Sequence, residues 1–423
     1  MIVSMILLNV RVASADGPGW SEDVKLSYSR AAIPSMTVNG SDIHVVWTND
    51  SVSEISYRRS EDYGLTWTPE RLITNISAGG VCDGPNVAVT GNTVHVVFES
   101  ERESPDFEVW YMRSDDNGNT WTEEIQLSDD DIAGSLIASV AAAGDDVYVL
   151  WADERHNFIR EIYFKRSTDG GNTWTADRRL TFHQDGTTSK PALIITPDKL
   201  HLVYNEHTGG SPSTMEPMYM YSTDKGDNWS EPLMLSQDQS MHSIFYGPGG
   251  FDVDGDTIHV VWDDNRFWDG GEIYYRRSTD AGLSWEPEVR ITYDLDNSQM
   301  QPYVSAKDDF VQIFWQDARD KPGNIRNIYS VNSTDGGASW NEDYRVTHQP
   351  WPVSSWIRRS GYDDDGYTHI IYIDNRTGTR HLYYKRSPDF GEPIPEFGNI
   401  VVPVVATLLM VTVATRVRKK KRG

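Results

Sequence analysis

Ser60-Glu61-Asp62-Tyr63-Gly64-Leu65-Thr66-Trp67 closes an extended run, Glu54 to Arg59, and the same pattern, Ser-x-Asp-x-Gly-x-x-Trp, returns along the chain. Its aspartates are Asp62, Asp116, Asp169, Asp224, Asp280 and Asp335, and a seventh copy at Asp389 stops before its tryptophan. Successive copies lie 53 to 56 residues apart, the length of four short strands with their turns. A fixed period of that size marks a repeat architecture, one repeat per blade of a β-propeller. Each residue type has a job in the turn: Asp accepts hydrogen bonds from turn amides, Gly takes positive φ, and Trp covers the base of the hairpin. These positions therefore read as structural, with no chemistry assigned to them.

The truncated seventh copy has its complement at the other end of the chain. Gly19-Trp20-Ser21-Glu22-Asp23-Val24-Lys25-Leu26 matches the piece that follows the motif elsewhere, as in Trp67-Thr68-Pro69-Glu70-Arg71-Leu72. The expectation is an all-β, seven-bladed propeller of four-stranded blades over residues 16–391, closed by the N-terminal strand, which removes the free edges of an open array.

Composition agrees with an all-β chain. The 423 residues are 38% hydrophobic, with 15 Trp and 21 Tyr, and no long helical period interrupts the repeats. One cysteine, Cys82, excludes an internal disulfide. A net charge of −25, more negative still without the basic C-terminus, argues against nucleic-acid binding.

The ends carry targeting signals. Residues 1–15 combine the apolar run Ile2-Val3-Ser4-Met5-Ile6-Leu7-Leu8 with Ala13-Ser14-Ala15, a small-x-small cleavage pattern, so they read as a signal peptide. Residues 400–417 read as a transmembrane helix and 418–423 as a basic cytoplasmic tail, which places the propeller outside the cell. The intervening 392–399 is a linker whose Glu392-Pro393-Ile394-Pro395-Glu396-Phe397-Gly398 resembles PEF-type sorting signals of archaeal surface proteins.

Over residues 19–391 the repeats resemble the Asp-box, or BNR-repeat, propellers, a group that includes the sialidases. That resemblance implies six blades for a true sialidase, three arginines for a substrate carboxylate, a Tyr nucleophile backed by Glu, and an Asp acid/base. The family's Phe/Tyr-Arg-Ile-Pro motif corresponds here to Ala31-Ala32-Ile33-Pro34-Ser35, with Ala32 at the arginine position. Arg30 lies two residues earlier, displaced by about 7 Å along a strand. The departure removes one arm of the arginine triad, and the remaining catalytic residues have no assignable counterparts.

Strand order puts the Asp-box turns on the same face as the turns joining first and second strands. The opposite face carries an acid-x-Arg signature: Asp153/Arg155, Asp264/Arg266, Asp317/Arg319 and Asp374/Arg376, with Glu99-Ser100-Glu101-Arg102 as a variant. One reading makes the arginines a ring gripping carboxylate or sulfate groups. The other, favoured by recurrence in five blades, pairs each Arg with its neighbouring acid between blades. Asymmetric aromatics are further ligand candidates: Phe267, Trp268, Trp351, Trp356, and Tyr246 beside His242 in the longest blade-to-blade loop. The acidic runs Asp129-Asp130-Asp131, Asp252-Val253-Asp254-Gly255-Asp256 and Asp363-Asp364-Asp365-Gly366 read as hairpin turns before calcium loops. His44, His95 and His259 recur with the blades and read as structural.

The reading is therefore a monomeric, cell-surface-anchored propeller that recognises an extracellular glycan or protein, with no cofactor and no metal. An exo-sialidase-like hydrolase is the enzymatic alternative. A structural envelope component is the third, consistent with six glycosylation sequons at Asn39, Asn49, Asn75, Asn228, Asn332 and Asn375.

Overall fold

The computed structural model describes residues 19–387 except 77–79, 103–105, 130–132, 184–185, 208–213, 238–242, 267–270, 294–297, 321–324 and 349–354. They form seven antiparallel sheets, one per repeat. Blade one is typical: inner strand Ala31–Asn39, second strand Asp42–Asn49, third strand Glu54–Ser60 and a short outer strand Arg71–Leu72. The ring closes as the repeats require. Val24–Lys25 pairs with His381–Arg386, Val24 opposite Tyr384 and Lys25 opposite Tyr383, and so supplies the outer strand of blade seven. Trp20 packs edge-on against Phe314 of blade six at 5.9 Å.

The seventh Asp-box, with Asp389, lies outside the described residues, as do the segments 1–15 and 400–417. Among the described residues no helix is long and apolar enough to cross a membrane.

Apolar side chains are buried between blades rather than in one central core. Ile371, Leu382 and Tyr384 of blade seven pack with Val45 and Trp47 of blade one, and the pattern repeats round the ring. The Asp-boxes fasten these layers. Asp62 accepts from Thr66 N at 2.8 Å and Thr66 Oγ1 at 2.6 Å, while Gly64 N donates to Ser60 Oγ at 2.8 Å. Five of the box turns also dock on their own first hairpin, as Tyr63 N does on Ser41 O at 2.9 Å, which places the two sets of turns on one face.

The box tryptophans reach the preceding blade: Trp121 meets Tyr57 edge-on at 5.2 Å and Trp174 meets Tyr111 at 5.0 Å. Those tyrosines hydrogen-bond to the recurrent histidines, His44–Tyr57 at 2.8 Å and His95–Tyr111 at 2.7 Å, with equivalents at His201, His259 and His369. Burial pushes His44, His95, His201 and His259 down to about 4, so they are neutral packing groups.

Candidate functional site: the channel mouth opposite the Asp-boxes

Four of the acid-x-Arg arginines pair with their neighbouring acid as the sequence suggests, Arg155, Arg266, Arg319 and Arg376 with Asp153, Asp264, Asp317 and Asp374, but within a blade; the link between blades is seen for Arg155, which also binds Asp129 in the connection from blade two at 2.9 Å. Each arginine reaches from the second strand to an acid preceding the outer strand of its own blade. Arg155 binds Asp153 at 2.6 Å and Asp177 at 2.8 Å; Arg319 binds Asp317 at 2.6 Å and Asp343 at 2.8 Å. Arg266 bridges Asp264 and Glu288, and Arg102 binds Glu124. Arg376 joins Asp374 to Asp23, the acid contributed by the N-terminal strand. A ring lies under each guanidinium, Tyr163 at 4.3 Å and Tyr274 at 4.2 Å for Arg155 and Arg266. Burial works against the charge of Arg266, and the Asp264 and Glu288 carboxylates outweigh it, holding the group above its ordinary pKa.

Phe267, Trp268, Trp351 and His242 lie outside the described residues. Trp356 falls in the inner strand Ser355–Tyr362, and its side chain is likewise outside the description. The acidic turns serve as caps: Asp252 accepts from Ala306 N at 2.9 Å, and Asp363 binds His369 at 2.8 Å.

A different set of residues meets at the mouth of the central channel, on the face opposite the Asp-boxes. The inner strands enter the ring from this side and most carry a β-bulge at the same register, for example between Ala32 and Ser35, Asp83 and Asn86, and Met300 and Tyr303. The extra residue in each bulge has positive φ: Ile33 (40°), Gly84 (57°), Ile137 (58°), Lys190 (53°) and Gln301 (52°). Bulges re-aim side chains, and here these five residues line one cavity of about 410 Å³. In blade five the inner strand is interrupted between Ser243–Ile244 and Phe251–Asp254. That interruption brings Tyr246 to the cavity wall; Asn205 anchors it through Phe245 N and O at 2.9 and 2.7 Å.

The bulges expose backbone amides, and the second strand of the preceding blade caps them. Glu99 accepts from Ile137 N, and Asp263 accepts from Gln301 N at 3.3 Å and from Tyr246 Oη at 3.0 Å. Burial raises both carboxyls to about 7. Burial also drives Tyr246 well above its usual pKa, with Asp263 adding to the effect, so its hydroxyl stays protonated.

Among the described residues, two cations face this cavity without a hydrogen-bond acceptor. Lys190 stacks on the Tyr246 ring at 4.1 Å and makes no hydrogen bond among the described residues. Arg359 also borders a second cavity of about 300 Å³ toward the Asp-box face, and its Nη1 is buried with no hydrogen-bond partner among the described residues. Burial lowers the pKa of both, with Asp263 and Asp252 respectively opposing the shift.

Sequence reasoning picked out Tyr246 and named Glu99 only within the acid-x-Arg variant, without a place in this cavity; it missed Asp263, Lys190 and Arg359. The signal for the acids was the position one residue before the acid of the acid-x-Arg signature, or before its counterpart in the blades that lack it. It reads Thr48, Glu99, Ala152, Asn205, Asp263, Gln316 and Ile373 around the ring, a repeat position at which the blades disagree.

Comparison with known proteins agrees with this architecture. An ulvan lyase, described as representing a new family of polysaccharide lyase, superposes with a TM-score of 0.64 at 12% identity, over 86% of this chain and 95% of that one. The same enzyme bound to -[GlcA(1-4)Rha3S]- gives 0.63 at 11%, with the same coverage. A protein of unknown function from Dyadobacter fermentans gives 0.52 at 17%, over 88% and 98%. At these identities the likeness is one of fold. No curated protein matches the sequence. The profile of the BNR repeat-like domain matches residues 37–241 and 152–357, and the chain belongs to that family.

Proposed function

We propose that the protein binds an anionic glycan, carrying carboxylate or sulfate groups, in the channel mouth opposite the Asp-boxes. The observation that carries this reading is the pair Lys190 and Arg359. In a chain of net charge −25, with the acid-x-Arg arginines held by carboxylates, these two face an open cavity without a hydrogen-bonded acid among the described residues. A buried cation without an acceptor is costly, and an anionic group on a ligand relieves that cost. Tyr246 and Tyr303 add ring surface suited to a saccharide. The fold neighbour bound to a sulfated, uronate-containing saccharide fits this choice of ligand. In our reading the propeller is displayed outside the cell and tethered through residues 400–417.

The full-length protein should bind chondroitin sulfate or polygalacturonate and ignore neutral dextran, with binding weakened by salt. Lys190→Gln and Arg359→Gln should each lower affinity about tenfold, the scale of one charged hydrogen-bonded contact. Equal binding of charged and neutral polymers, or unchanged affinity in both variants, would refute the proposal.

Hydrolysis has one observation in its favour: Glu99 and Asp263 titrate near neutrality, where a general acid works best. Both already accept bonds from bulge amides, which gives them a structural role. Turnover of an anionic oligosaccharide that disappears in Asp263→Asn, with binding retained, would establish the enzymatic reading instead.

A further inference from the structure

The mouth is two-sided. Blades one to three contribute Ile33, Pro34, Pro85, Ile137 and Ala138, whereas blades four to seven contribute Lys190, Tyr246, Gln301, Tyr303 and Arg359. Because blades follow chain order round the ring, these two groups face each other across the opening.

Polar atoms on the apolar side are largely engaged within the fold. Asn86 donates to Ser35 Oγ at 3.3 Å and accepts from Val140 N at 3.1 Å, and Glu99 accepts from Ile137 N. A ligand hydroxyl pressed against the Ile33, Pro34 and Ile137 side chains would lose water without gaining a partner from them, whereas a methyl group would lose nothing.

The backbone adds an independent argument. Ile33 and Ile137 are β-branched residues at φ of 40° and 58°, a conformation that such residues rarely adopt. Blade two forms the same bulge with Gly84 at φ of 57°, where a Cβ would lie 2.7 Å from Glu99 Oε1, so the bulge forms without a side chain at this position. Ile33 is moreover 50% exposed, so burial in the core does not explain its side chain. Strained residues at the rim of a cavity point to work done by the side chain.

Building on the proposed anionic-glycan site, we infer that the ligand is a sugar that presents a methyl group to the Ile33–Ile137 wall while its sulfate or carboxylate meets Lys190 and Arg359. The methyl belongs to a 6-deoxy sugar or to an O-acetyl group, and the test separates the two.

Binding of three methyl glycosides to the full-length protein is measured by calorimetry and by saturation-transfer NMR: 4-sulfated galactoside, its 6-deoxy analogue and its 6-O-acetyl analogue. The same set is repeated on a glucose scaffold. One methyl-bearing analogue should bind about fivefold more tightly than the 6-hydroxy parent, the scale expected for one buried methyl, and its methyl protons should receive the strongest saturation. In an Ile33→Gly/Ile137→Gly variant, which removes the wall and relieves the backbone, that preference should vanish while the sulfated parent still binds. The analogue that shows the preference identifies the source of the methyl. Equal affinity across each set, or a preference that survives in the variant, overturns the inference and leaves the anion site standing. Failure of every sulfated sugar to bind overturns both.

Discussion

Gly118→Ala should destabilise the protein by roughly 4–6 kcal/mol, against about 1–2 kcal/mol for Gly91→Ala. Both glycines have positive φ, 79° and 55°, so a methyl group meets comparable backbone strain at each. Their surroundings differ: a Cβ on Gly91 would meet nothing within 4 Å, whereas one on Gly118 would lie 2.0 Å from Tyr57 Oη. Tyr57 cannot retreat cheaply. It is held to buried His44 at 2.8 Å and sits edge-on against Trp121 at 5.2 Å. Displacing it leaves the His44 ring without that partner and opens the layer between blades one and two. The same close approach recurs where Gly171 faces Tyr111 and Gly282 faces Tyr219, so the Asp-box glycine is required by inter-blade packing as well as by its turn. Urea unfolding of both variants checks this. Equal losses would mean that the close approach carries no weight.

That glycine illustrates what the sequence makes legible. Blade number, closure through Val24–Lys25 and the sharing of one face by two sets of turns all follow from the period of the Asp-box motif, because a repeat can be counted. The recurrent histidines were equally readable, since His44, His95 and His259 hold one place in each blade. The acid-x-Arg arginines and their neighbouring acids were visible as residues, but the downstream partners were not. Glu124, Asp177, Glu288 and Asp343 lie 22 to 24 residues downstream, and only the return of the outer strand brings them close.

The channel mouth was hidden for a different reason. Alternation along a strand assigns side chains to faces with period two, and a bulge breaks that count without leaving a mark in composition. Lys190 and Gln301 each precede a proline, as Ile33 and Gly84 do, which restricts their backbone. Nothing in those dipeptides reveals that the residue turns toward the axis. The proposed site thus sits where the blades differ from one another, while the motif that reveals the fold marks where they agree.

Glu99→Gln should leave stability nearly unchanged at pH 4 and raise it by at most about 3 kcal/mol at pH 8–9. Burial is the main reason that Glu99 is raised to about 7, with Asp83 reinforcing it and the Ile137 and Ala138 amides and Arg160 opposing it. The folded state therefore holds a proton on Glu99 at pH values where the unfolded chain, near the ordinary 4.5, has released it. This contribution to stability is complete below about pH 4.5 and is lost as pH rises through 7. Glutamine keeps an acceptor for the Ile137 amide without acquiring a charge, so its stability should not follow that decline. Asp263→Asn should behave alike, since burial raises Asp263 to about 7 as well. The same titration bears on ligand binding: ionised Glu99 and Asp263 would oppose an anion beside Lys190, so affinity for chondroitin sulfate should fall between pH 6 and 8 in the native protein and fall less in Glu99→Gln. Parallel stability curves for native and variant protein across that range would show that Glu99 is not held protonated by the fold. The pH dependence of glycan binding would then need another origin.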